Sequence, residues 1–95
     1  MSKHVPRKAR WTQVSPKEYR AVFGVVRYHA RAWEGTVFYE LREQNAPDGA
    51  IVRWRPEMMT VGRYKRPRNA MMAVEERARE VRRRYQDQVR IVFDE

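Results

Sequence analysis

The chain has no cysteine among its 95 residues, which excludes disulfides, thiolate metal sites and thiol chemistry. Serine occurs only as Ser2 and Ser15, and histidine only as His4 and His29. Neither type sits at a spacing that joins a nucleophile to a base or gathers metal ligands. No apolar run approaches the length of a membrane span, and the apolar segment of a secretory signal is missing, so a cytoplasmic chain is expected. The four glycines, Gly24, Gly35, Gly49 and Gly62, are too dispersed for a phosphate-cradling loop. Carboxylates paired in apolar surroundings are also lacking; Glu75 and Glu76 read as helix-surface charges. These absences predict a protein that is not an enzyme, with no cofactor, no metal and no small-molecule substrate.

Lysine is scarce too, limited to Lys3, Lys8, Lys17 and Lys65, yet Lys and Arg together number 21 against 12 acidic residues, a net charge of +9. On a chain long enough for one small core, that charge points to a polyanionic partner. A GC-rich genome also enriches Arg over Lys, so the net charge rather than the Arg excess carries the argument. The densest cationic run is Gly62-Arg63-Tyr64-Lys65-Arg66-Pro67-Arg68. It lies where a strand is predicted to end and a helix to begin. A helix start has unpaired backbone N–H groups and the positive end of the dipole, which already favour anions. Arg63, Lys65, Arg66 and Arg68 are therefore candidates for phosphate.

Residues 1–16 read as a basic, flexible arm, with Trp11 as the point where it docks on a single domain of residues 17–95. Residues 19–30 are rich in Val and aromatics and read as one strand, with a disturbance near Gly24 that suggests a bulge. Trp33-Glu34-Gly35-Thr36 is a plausible turn, and residues 36–42 alternate as a second strand. Asn45-Ala46-Pro47-Asp48-Gly49 is a strong turn signal. A third strand follows over residues 50–55, ended by Pro56, and residues 58–64 are either a fourth strand or its continuation past a kink. The helix is expected over residues 67–85. Pro67 suits its first turn, and Ala70, Ala73, Val74, Ala78, Val81 and Tyr85 form one apolar stripe. Glu75–Arg79 and Glu80–Arg84 stand opposite as i,i+4 pairs. Residues 89–93 read as a short final strand at a sheet edge. The fold class is thus α+β: a small antiparallel sheet, in the order β-β-β-α-β, with one amphipathic helix on one face.

If Val26, Tyr28, Val37, Tyr39, Val52 and Trp54 face the helix, alternation sends Arg27, His29, Arg31, Arg53 and Arg55 to the open face, with Phe38 and Arg42. Arg27, Arg31, Arg53 and Arg55 are therefore candidates for groove contacts, since a sheet can enter a major groove. Glu40 shares that face and opposes phosphate. Met58, Met59, Met71 and Met72 could form a soft partner-binding patch, although Met71 is expected at the core margin and Met72 at the surface.

Gly62, Tyr64, Ala70, Ala73 and Ala78, with Gly24-Val25 near the first strand, carry a resemblance. Over residues 22–85 the chain resembles the Apetala/ethylene-response-type DNA-binding domain and the arm-binding domains of phage tyrosine recombinases. The resemblance implies a three-stranded antiparallel sheet on one helix, with the sheet reading DNA. Residues 51–57 depart from the short family hairpin, and the final strand is extra. The run from Gly62 to Arg68 is also similar to the basic start of the last helix in double-stranded-RNA-binding domains, a family that begins with a helix not evident here. Duplex DNA is thus the first expectation for the partner and RNA the third. The second is a different class: a small interaction or inhibitor protein of a phage or other mobile element, binding an acidic protein surface.

Overall fold

The computed structural model describes residues 10–43 and 53–92. Its strands are β1 (Thr12–Ser15), β2 (Glu18–Ala21), β3 (Gly24–His29), β4 (Ala32–Arg42) and β5 (Trp54–Tyr64), followed by helix α1 (Pro67–Tyr85), a 3-10 turn (Gln86–Gln88) and β6 (Val89–Arg90). The first five strands lie side by side in chain order, each antiparallel to the next. The shorter β6 pairs with the distal half of β4 at Glu40 and Leu41, past the point where β3 stops. One helix on one face of an antiparallel sheet makes this an α+β fold, as predicted. Residues 1–9 of the expected arm, the expected turn at residues 45–49, residues 50–52 of the expected third strand and residue 93 of the expected final strand lie outside the described residues.

Helix α1 forms where expected because its start and its stripe agree. Pro67 occupies the first helical turn, the Arg66 backbone is extended, and Arg82, Arg83 and Arg84 fill the last turn, where the dipole favours cations. Ala70, Val74 and Ala78 are buried against Phe23, Val26 and Val37, and Val81 is buried one turn further on. The helix comes close because two glycines make room for Val74. A Cβ on Gly35 would stand 2.7 Å from Val74 Cγ2, and one on Gly24 would stand 2.7 Å from Val74 Cγ1.

Several strand boundaries differ from expectation. Residues 19–30 form two strands joined by a reversal at Val22 and Phe23, with Ala21 opposite Gly24; the disturbance near Gly24 is that reversal. Trp33–Thr36 is not a turn but the middle of the β3–β4 pairing, and Gly35 serves the close helix instead. The chain reverses at Ala30 and Arg31, whose φ angles are 51° and 67°. A two-residue hairpin needs positive φ at both positions, usually supplied by Asn-Gly or Asp-Gly, so the sequence carries no standard signal for it. Part of the expected arm belongs to the sheet, because residues 12–15 pair with β2. Trp11 anchors that hairpin by packing edge-on against Phe23 and donating its indole N–H to Glu75 at 2.7 Å. Glu75 is accordingly buried, not a surface charge.

Strand β5 is continuous through Pro56. The Glu43 N–H donates to the Arg53 carbonyl at 3.0 Å, so by alternation Arg55, Glu57 and Met59 also turn their backbone groups toward β4. Pro56 then faces the outer edge, where its missing N–H costs no ladder bond. The pairing slips between Gly35 and Thr36, opposite Gly62 and Thr60, and leaves Val61 as an extra residue. That bulge inverts the face of everything before it. Tyr64 and Gly62 lie on the helix side with Trp33 and Gly35, but so do Met59, Glu57 and Arg55, while Trp54 turns to the open face. The expectation for Trp54 and Arg55 was therefore reversed.

Candidate nucleic-acid interface

Cross-strand register arranges the open face in rows. The first joins Arg27, Glu34 and Arg63; the second Val25, Thr36 and Thr60; the third sets Phe38 beside Met58; the fourth joins Arg90, Glu40 and Pro56; the last pairs Arg42 with Trp54. Arg side chains thus stand toward both ends, each with a carboxylate in its row or the next, and uncharged residues fill the middle.

Among the predicted groove residues, Arg27 stands on the open face. Its Nε donates to Glu18 Oε1 at 3.0 Å, and Arg20 holds the other oxygen of that carboxylate. The hydrogen bonds from Arg20 and then Arg27 hold the Glu18 carboxyl below its ordinary pKa. Arg31 sits in the β3–β4 turn. Arg53 precedes β5, and Arg55 projects on the helix side with its Nε 2.7 Å from Glu57. The four do not form one cluster, and the Val61 bulge is the reason Arg55 is separated from Arg27.

The corner of residues 63–68 is brought together more fully. Arg63, Lys65, Arg66 and Arg68 are all exposed around the start of α1. Pro67 has no N–H, the Arg66 side chain forms no cap, and the first turn contains no acid. The first helical bond runs from the Ala70 N–H to the Arg66 carbonyl at 3.3 Å. The N–H groups of Arg68 and Asn69 precede it. Arg63, near the end of β5, also reaches the β3–β4 turn, where its Nη2 donates to the His29 and Ala30 carbonyls, both at 2.8 Å. One terminal nitrogen of a guanidinium carries two hydrogens, one for each carbonyl. The contact ties the β3–β4 turn, with Arg31, to the same end of the sheet as Lys65, Arg66 and Arg68.

Other features were missed in the sequence. Arg90 lies 2.9 Å from Glu40 and stacks on Trp54, its guanidinium carbon 4.6 Å from the ring centre. Its alternation with Val89 and Ile91 was the available signal. The carboxylate expected to oppose phosphate is thus matched by a cation. An open groove of about 610 Å³ is lined by Val22, Phe38, Tyr39, Pro56, Met58 and Val92 together with the charged Glu40, Glu57 and Arg90. The four methionines do not make one patch: Met58 is on the open face, Met59 accepts a contact from Arg77 Nη1 at 3.3 Å on the other, Met71 packs against the core and Met72 is exposed. No helix among the described residues is long and apolar enough to cross a membrane. Comparison of the chain with protein-family models, with curated proteins and with solved structures found no match.

Proposed function

We propose that this protein binds nucleic acid, with duplex DNA favoured over RNA, using the open sheet face together with the corner of residues 63–68. The observation that carries the reading is the Arg63 bridge to the His29 and Ala30 carbonyls, which ties the β3–β4 turn, with the groove candidate Arg31, to the end of the sheet where the phosphate candidates surround the helix start. The β3-β4-β5-α1 order is also the arrangement that the resemblance implies. Arg63, Lys65, Arg66 and Arg68 contact phosphate; Arg27 and Arg31 approach the groove; Arg53 and Arg55 contribute charge from outside it.

A salt titration against duplex DNA, single-stranded DNA and duplex RNA tests this. Neutralising about five phosphates gives a log–log slope of roughly −4.5 on duplex DNA. Replacing Lys65 and Arg66 with Ala flattens that slope by about two, with little sequence dependence. Affinity weaker than about 100 μM for all three at low salt refutes the reading. The alternative, a small interaction protein bound to an acidic protein surface, is favoured by one observation, the exposed apolar side chains of Val22, Met58 and Val92 in one open groove. Partners captured equally from nuclease-treated and untreated lysate support that alternative.

A further inference from the structure

We infer that Tyr28, at the end of the sheet near the helix start, stacks on an unpaired base of DNA, so that the preferred ligand is a duplex with a single-stranded extension. This rests on the DNA-binding reading and names its substrate more closely. Cross-strand register sets Tyr28, Trp33 and Tyr64 in one row on the face that carries the helix. Trp33 and Tyr64 pack against the core, as does Tyr19 beside Trp33. Tyr28 is outside that set and leans on Trp33 instead, with ring centres 5.2 Å apart and planes at 57°. It is half-buried, and keeps part of its surface in solvent.

Exposed cations surround this row. Lys17 places its Nζ 5.9 Å from the centre of the Tyr28 ring, and the Tyr28 N–H donates to the Lys17 carbonyl at 2.8 Å. Arg31 follows in the β3–β4 turn, and Lys65, Arg66 and Arg68 follow Tyr64. None of these five cations has an ion pair among the described residues. The carboxylates nearest in the chain, Glu18 and Glu34, alternate to the open face, in the row of Arg27 and Arg63. The hollow beside Tyr64 holds Glu75 and Glu76 as well as Arg79 and Arg83, so the Tyr28 end of the row suits a polyanion better. Aromatic rings among uncompensated cations are the two components of single-strand recognition, since bases stack on the rings and phosphates follow the charge. In a duplex the faces of the bases are already stacked on one another, so only an unpaired base can lie on Tyr28. The Arg63 bridge joins the corner of residues 63–68 to His29 and Ala30, directly after Tyr28. A strand leaving a duplex at that corner thus meets Tyr28 at the same end of the sheet.

The test compares three DNA ligands by fluorescence anisotropy: a blunt duplex, the same duplex with a short single-stranded extension, and that duplex with abasic sites throughout the extension. The last two carry the same number of phosphates, so their salt slopes agree. The extension with bases binds about tenfold more tightly than the abasic one, a factor within the range for stacking one base on an aromatic side chain. Tyr28→Phe keeps that gain and Tyr28→Ser loses it, each checked for native circular dichroism. Equal affinity for the base and abasic extensions overturns the inference and leaves duplex binding standing. That comparison uses the unaltered protein, so it decides even where Tyr28→Ser fails to fold. A gain retained by folded Tyr28→Ser also overturns the inference. Failure to bind any of the three at low salt overturns the DNA-binding reading as well.

Discussion

The closeness of helix and sheet can be tested at a single side chain. Val74 is fully buried, and its two methyls lie over two different glycines. Val74→Ala removes both methyls and costs about 2 kcal/mol in transfer and cavity terms. Gly35→Ala introduces a Cβ 2.7 Å from Val74 Cγ2, with the Ala70 carbonyl oxygen next at 3.3 Å. Such overpacking costs about 1–3 kcal/mol. In the double variant the new methyl enters the space Val74 vacates, so the combined loss is about 2 kcal/mol and the coupling about 2 kcal/mol. Gly24→Ala is the internal contrast. Its Cβ would meet not only Val74 Cγ1 but also the Thr36 backbone oxygen at 2.5 Å. Shortening Val74 cannot relieve that clash, so Gly24→Ala with Val74→Ala gains far less. Urea denaturation at constant m-value reads all five variants, and each kcal/mol appears as a shift of about 4–8 °C in Tm. Additive losses for Gly35→Ala and Val74→Ala, or equal rescue at both glycines, would refute this account of the packing.

Trp11→Phe keeps the edge-on contact with Phe23 but removes the donor to buried Glu75, and a loss of about 1–3 kcal/mol is expected in the same denaturation assay. An unchanged midpoint would show that the bond contributes nothing. Burial first, and then the charges of Glu57 and Tyr85, raise the Tyr39 hydroxyl above its ordinary value of 10.0. Because the folded state holds that proton more tightly, the stabilisation is present below the unfolded pKa and is lost as pH rises through the folded one. Tyr39→Phe is therefore expected to remove one late phenolate transition from an ultraviolet titration and to reduce the alkaline fall in stability.

The features legible in the sequence were those written in several residues at once. Helix α1 was announced by Pro67 and by six apolar positions in one stripe, and the β-rich composition before it required a sheet. The basic corner of residues 63–68 was legible because its cations lie close together in the chain. Features depending on one residue or on a distant partner were not. Strand β1 is exposed along its length and shows no apolar face to find. The Ala30–Arg31 reversal lacks the usual turn residues, and its partner Arg63, which donates to the His29 and Ala30 carbonyls, lies more than 30 positions away. Glu75 looked like an ordinary helix charge until Trp11 was seen against it. The Val61 bulge mattered most for the candidate site: a one-residue offset exchanged the faces of Trp54 and Arg55.

Because the first five strands pair in chain order, most of the sheet can assemble by successive local reversals, with modest loop-closure entropy at each step. Beyond the packing of the helix on the sheet, two hydrogen-bonded closures join the outer described residues to it. Trp11 must find Glu75 across 64 positions, and Arg90 must reach Glu40 across 50. These contacts stitch the outer parts of the described chain onto a meander and helix that can form without them. If these contacts are absent from the folding transition state, stabilising them slows unfolding more than it hastens folding, an outcome that chevron kinetics of Trp11→Phe and Glu40→Gln would check.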